Sequence, residues 1–356
     1  MPEQATMPRR NRKLSSLLRI RSRLILAAFI ALILSAPLSA QELAPRNSTV
    51  PEPQKNNNNQ FKINVNVNLV VLHATVVDKK GHFVNGLTEN DFRVLEDGVP
   101  QKIAVFSHAD IPVTMGIDID DSGSMRDKRA AVSAAALTFV KTSNPDDQVF
   151  VVNFNDEYYL DTPGNFASNM EELKAALTKI DSRGGTALYD AVSASLDHLK
   201  LGNRDKKALL VITDGEDNAS RYSFPDLLRQ AQQSNAVIYC IGLLGEEHEG
   251  GLFKIHGGGD KRAAKILTEL AEATGGKAYF PKSLDQVEPI CASIAHDIRN
   301  QYTLGYYPTN AKKDGTFRRV VVELTNRTDS KRYIVRTRPG YYAPRENATP
   351  AVAESR

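Results

Sequence analysis

The spacing of apolar and polar residues changes period twice along the 356-residue chain. From Phe61 it alternates: Phe61, Ile63, Val65, Val67 and Leu69 fall on one face, Lys62, Asn64, Asn66 and Asn68 on the other. A period of two describes a strand with one wet side. Turns at Asp78-Lys79-Lys80-Gly81 and Glu96-Asp97-Gly98, the latter followed by the strand-like KIAVFSH, predict a few antiparallel strands over residues 61–108. These are too few to close a core alone. The same signal returns over residues 301–344, in YTLGYYP, RRVVVELTN and RYIVRTRPGYY, with Lys313-Asp314-Gly315 as a turn. One small antiparallel β-sandwich made from both segments is the simplest arrangement, because separate pieces would each leave an apolar face exposed.

Between them, over residues 112–298, strands alternate with helices. VTMGIDID, QVFVVNF, ALLVIT, AVIYCIGLL and the short KAYF read as strands, with residues 157–160 as an antiparallel edge. Helices are expected at 126–142, 169–180, 187–200, 223–234, 261–274 and 283–298. The predicted fold class is therefore α/β: an open, mainly parallel sheet flanked by helices, inserted in or followed by the small sandwich.

Composition adds a leader. Residues 1–40 hold seven of the 45 Lys/Arg and one of the 42 Asp/Glu, leaving 38 against 41 in the rest. The formal charge of +3 thus belongs to the N-terminus, and the remainder carries no electrostatic footprint for nucleic acid. Arg9 to Arg23 precede the apolar run Leu24–Leu34 and the small-residue exit Ser35-Ala36-Pro37-Leu38-Ser39-Ala40. That is the build of an export signal over residues 1–40, with cleavage expected after Ala40 and a periplasmic or cell-surface destination. An uncleaved leader would be the chain's membrane contact. Residues 41–60, with Pro45, Pro51, Pro53 and the Asn56–Asn59 tract, read as a disordered linker, and 345–356 as a tail. Export would permit a bridge between the two cysteines. Cys240 in a strand and Cys291 in a helix nonetheless read as small buried hydrophobes.

Candidate chemistry lies where the strands end. Asp120, Ser122 and Ser124 follow VTMGIDID, Asp214 follows ALLVIT, and Thr186 opens a helix after Gly184-Gly185. In a parallel sheet these loops converge on one edge. Singly, each residue is an ordinary cap or turn former. Together they offer only hard oxygen donors, a set suited to Mg²⁺ or Mn²⁺ rather than zinc.

This D-x-S-x-S run with a separate Thr and a separate Asp resembles the metal-ion-dependent adhesion site of von Willebrand factor type A domains. The likeness covers about residues 112–298. The flanks, FKINVNVNLVVLHATVVDKKGHFVNGLTENDFRVLEDG before and QYTLGYYPTN with GYYAP after, are similar to secreted bacterial proteins of that kind. The resemblance implies that Ser122, Ser124 and Thr186 contact the cation while Asp120 and Asp214 act partly through water. It further implies a non-catalytic module whose metal is completed by an Asp or Glu carboxylate from a protein ligand.

Two other readings remain at this stage. Asp118-Ile119-Asp120 also fits the D-x-D of haloacid-dehalogenase-like phosphatases, with Asp118 attacking phosphate and Thr213 binding it. The Thr usual after that motif is absent, and the D-x-S-x-S match is left unexplained. A metal-independent scaffold is the third reading. Asp118 breaks an apolar strand pattern, with Arg126 as a candidate partner; Asp121, Asp190, Glu216 and Asp217 are not needed for the cation. In the loop 243–260, Glu246, Glu247, His248, Glu249 and His256 could hold a second metal, but the glycines favour a mobile solvated loop.

Overall fold

Four short strands come first: β1 (Val70–Asp78), β2 (Phe92–Glu96), β3 (Val99–Gln101) and β4 (Ile103–Ser107). The computed structural model describes residues 69–244, 258–325 and 332–345, with the backbone alone of 246–248 and 252–254. The leader, the linker, nearly all of the alternating run from Phe61, the side chains of 245–257 and the tail beyond Arg345 lie outside the described residues.

The α/β part follows. Its strands are β5 (Val113–Asp120), β6 (Gln148–Phe154), β7 (Tyr158–Leu160), β8 (Lys206–Thr213), β9 (Ala236–Gly242), a hairpin of β10 (Glu246–His248) and β11 (Leu252–Lys254), and β12 (Ala278–Tyr279). Its helices are α1 (Arg129–Lys141), α2 (Met170–Leu177), α3 (Leu188–His198), α4 (Phe224–Gln233), α5 (Gly258–Glu272) and α6 (Val287–Arg299). The main sheet runs β12-β9-β8-β5-β6-β7, parallel except for the antiparallel edge strand β7. Strands β5 and β9 are buried along their whole length, as a parallel strand covered on both faces must be. Side chains alternate between two cores. Met115, Ile117 and Ile119 join α1 and α6 on one face, while Phe150, Leu209 and Ile238 join α3, α4 and α5 on the other. On that second face β5 places Gly116, where a Cβ would lie 2.6 Å from both Leu209 and Phe150. Local capping sets helix starts: the Asn169 side chain accepts from Glu172 N at 2.9 Å to begin α2.

The chain then returns to strands: β13 (Tyr302–Tyr306), β14 (Phe317–Leu324), β15 (Tyr333–Arg336) and β16 (Gly340–Tyr342). Two antiparallel four-stranded sheets result, ordered β15-β1-β13-β4 and β16-β14-β2-β3, and each takes strands from both ends of the chain. Leu72, Val94, Tyr302, Leu304, Tyr306 and Val322 share one core between them. The mainly parallel sheet with helices on both faces and the accompanying antiparallel sheets match the fold class expected from the periodicities.

Two buried charged groups lie outside what the periodicity shows. Glu96 is not simply a turn residue: it is 2% exposed and takes hydrogen bonds from Tyr306 and Tyr341, both at 2.8 Å, and from Arg318 at 3.2 Å. The apolar alternation of β14 hid Arg318, which occupies an inward position. The cysteines sit in opposite cores, Cys291 with α1 and α6, Cys240 with α3 and α5, and both are free thiols.

Candidate metal centre

In the strand order, connections leave β5 toward β6 on one side, and the chain returns to β8 on the other. The gap between the ends of β5 and β8 is therefore a topological switch point, where open α/β sheets leave a crevice. Asp120 ends β5, and Asp214 follows β8 directly.

Four of the five candidate residues are joined there. Ser122 Oγ and Ser124 Oγ lie 3.1 Å apart, and Ser124 Oγ donates to Asp214 Oδ1 at 2.8 Å. Ser122 N donates to Asp120 Oδ1 at 2.9 Å, and Thr213 Oγ1 to Asp120 Oδ2 at 2.6 Å. Asp120, Ser122 and Asp214 are buried while Ser124 is exposed, so the cluster meets solvent at Ser124.

Thr186 arrives on a third loop. Gly184 O accepts from Gly123 N at 3.3 Å, which brings that loop onto the D-x-S-x-S turn. Thr186 is buried, its N–H donates to Asn218 Oδ1 at 2.8 Å, and its carbonyl accepts from Asn218 N at 3.0 Å. The β8 loop that carries Asp214 therefore also fixes Thr186. Gly184 has φ +72, and a Cβ there would meet Asp156 Oδ2 at 2.0 Å, so only glycine suits this turn.

The cluster strains electrostatically as it stands. Burial, and next the charge of Asp214, push the Asp120 carboxyl up to about 6, against the hydrogen bonds from Ser122 and Thr213. Lys128 Nζ sits 2.6 Å from Asp214 Oδ2 and supplies one positive charge. Two mutually repelling carboxylates beside two hydroxyls, with a cation already drawn to one of them, fit a divalent ion.

The surrounding acids act as braces. Asp121 accepts from the fully buried Arg129 at 3.3 Å, from Ser182 Oγ at 3.1 Å and from Asp181 N at 2.7 Å. Arg129 also donates to Ser133 Oγ at 2.8 Å and to Asn153. This pair pins the segment leading to Gly184, a role that the alanine-rich helix pattern did not reveal. Asp190 accepts from Arg221 N and Tyr222 N, and Asp217 from Tyr189 N, closing the loops behind Thr186.

Asp118 does not face Arg126. It is fully buried and accepts from Ser195 Oγ at 2.6 Å, whereas Arg126 donates to Ser182 O. Burial drives its carboxyl well above the usual range, against the Ser195 hydrogen bond. A phosphatase nucleophile needs access that Asp118 lacks, and Thr213 is spent on Asp120. The second-metal idea for 243–260 falls on side chains outside the described residues.

Several known proteins are similar. An uncharacterized protein of Borreliella burgdorferi is 25% identical over 163 residues, 44% of this chain and 43% of its own length. The chain thus spans less than half of that relative. Among solved structures, a von Willebrand factor type A protein from Catenulispora acidiphila is 15% identical, covering 80% of this chain and 76% of that one, with a TM-score of 0.44. Proximal thread matrix protein 1 from the mussel byssus, solved with zinc in its MIDAS motif, is 18% identical over 57% of this chain and 49% of that one, with a TM-score of 0.42. Residues 117–216, the stretch that includes all five candidate residues, match the family model of the von Willebrand factor type A domain, and the chain carries such a domain.

Proposed function

We propose that this protein captures a protein ligand through a divalent cation, Mg²⁺ or Mn²⁺, held by Asp120, Ser122, Ser124, Thr186 and Asp214. The observation that carries the reading is the hydrogen-bonded chain Ser122–Ser124–Asp214, which unites two loops a long way apart in sequence. Such a cation, once bound, supplies a Lewis-acidic position that attracts an Asp or Glu carboxylate from the partner. The protein's own residues prepare for it: the Asp121–Arg129 pair and Asn218 hold the loops, and Ser124 marks the solvent side. The expected role is binding rather than catalysis.

The export-signal build of residues 1–40 supports a periplasmic or cell-surface site for this activity, with cleavage expected after Ala40. Among the described residues no helix is long and apolar enough to cross a membrane.

Pull-down from an envelope extract with the full chain, in Mg²⁺ or in excess chelator, tests the reading. Ligand capture should need the metal and should vanish in Asp214→Ala while the fold persists. Equal capture in chelator would favour the metal-independent scaffold instead.

A further inference from the structure

Away from the metal centre, a cavity of about 740 Å³ opens where the C-terminal end of α4 faces the antiparallel sheets. Its lining includes Lys312, Lys313, Arg318 and Arg338 and, among the described residues, no acidic side chain. A single-sign lining is unusual in a chain whose acids and bases nearly balance.

The four cations are not equivalent. Arg318 is neutralised by Glu96 and also donates to the carbonyls of Asn310 and Lys312, both at 2.5 Å. Among the described residues Arg338 has only neutral partners: Val71 O at 2.8 Å, Asn235 Oδ1 at 3.3 Å and the Tyr341 ring at 5.7 Å. Among the described residues no carboxylate lies within 4.0 Å of Arg338, Lys312 or Lys313.

The same two guanidiniums are also under-satisfied. The Nε atoms of Arg318 and Arg338 are buried without a hydrogen-bond partner, and both residues line this cavity. A buried N–H donor on a charged group left unpaired is costly, and native structures leave few of them. Arg338 also borders a second cavity of about 440 Å³, where Asp205 is the one carboxylate on the lining among the described residues. Tyr307, Tyr341 and Tyr342 give the larger cavity aromatic walls. Its size suits a small molecule, and junctions between structural parts are where such pockets occur.

We propose that this cavity binds a small organic oxyanion, a carboxylate or phosphate on an aromatic or apolar body, with Arg338 as its main anchor and Lys312 and Lys313 adding attraction. Arg presents a planar fork of donors that matches either oxyanion. The tyrosine rings take the apolar body. The site is independent of the metal centre.

Calorimetric titration of the full chain at low salt tests this with phenyl phosphate, benzoate and the neutral benzyl alcohol. At least one anion should bind about tenfold or more tighter than benzyl alcohol, the difference expected for a charge-assisted contact. Preference between the anions assigns the phosphate or the carboxylate source. Arg338→Gln should weaken binding by about tenfold or more, and Asp214→Ala should leave it unchanged. Because Arg338 is partly buried, the pair Lys312→Gln with Lys313→Gln serves as a second variant, expected to weaken the anion severalfold without unfolding. Equal binding of benzyl alcohol, no binding of either anion, or full affinity in both variants would overturn the proposal.

Discussion

Lys128 Nζ lies 2.6 Å from Asp214 Oδ2, on the carboxylate whose other oxygen accepts from Ser124. The ammonium partly satisfies a cluster that a divalent ion would satisfy better, so the two positive charges compete. Lys128→Met should strengthen Mg²⁺ binding by an amount on the order of 1 kcal/mol, since the pair is partly solvent-screened. Asp214→Ala should abolish it. Calorimetry of Mg²⁺ binding to the full chain reads both; unchanged affinity in Lys128→Met would mean that the ammonium does not contend for the site.

Gly184 joins the Thr186 loop to the D-x-S-x-S turn through its carbonyl. An added Cβ meets the positive φ of +72 and the Asp156 carboxylate at once. Gly184→Ala should lower stability by roughly 1–3 kcal/mol and weaken Mg²⁺ binding together. Gly258→Ala, where nothing lies within 4 Å, should do neither.

Asp297 on α6 is buried and accepts from Thr75 Oγ1 at 2.7 Å and from Arg336 of β15. It ties the helical layer to the strands that flank it in sequence. Asp297→Ala strands the Arg336 charge and should cost about 3–5 kcal/mol in urea unfolding. Asp297→Leu combined with Arg336→Met should recover much of that loss, because it removes both charges.

His73 on β1 is held neutral: burial first, then the charges of Lys206 and Arg338, lower its pKa from 6.5 to about 3. The unfolded chain therefore binds the proton that the folded one refuses. Its contribution to stability is full above pH 6.5 and falls as the pH drops toward 3, by at most about 1.4 kcal/mol per pH unit. Unfolding curves between pH 7 and pH 4 should show this slope, and His73→Gln should flatten it.

Cys240 and Cys291 are buried on opposite faces of the sheet, and burial pushes the Cys291 thiol up to about 12. Neither should react with iodoacetamide in the native protein, and reductant should leave the Tm unchanged. Labelling before unfolding, read by mass, checks this.

Elements that depend on local periodicity were legible in the chain. QVFVVNF forms a strand as read, and AVIYCIGLL one that stops at Gly242, because a buried parallel strand needs an unbroken apolar run. The helix expected at 126–142 begins only at Arg129, since Gly123–Met125 winds into a short 3₁₀ turn at the candidate metal centre instead. The candidate site was legible because four of its oxygen-bearing residues lie at or just after the ends of two parallel strands, whose shared edge the topology fixes, and Thr186 stands at the start of a helix. Its braces were not. Asp121 looks like one more loop acid and Arg129 like a helix surface residue until their loops are folded together.

The order of apolar and polar residues by itself determined the fold class and the positions from which side chains could meet, because period and turn chemistry act between near neighbours in the chain. Only the tertiary structure decided which charges were buried and what they faced: Glu96 with Arg318, Asp118 with Ser195, Arg338 with neutral partners. The reason is that a charge takes its energy from its surroundings in space, and those surroundings come from residues up to 267 positions away.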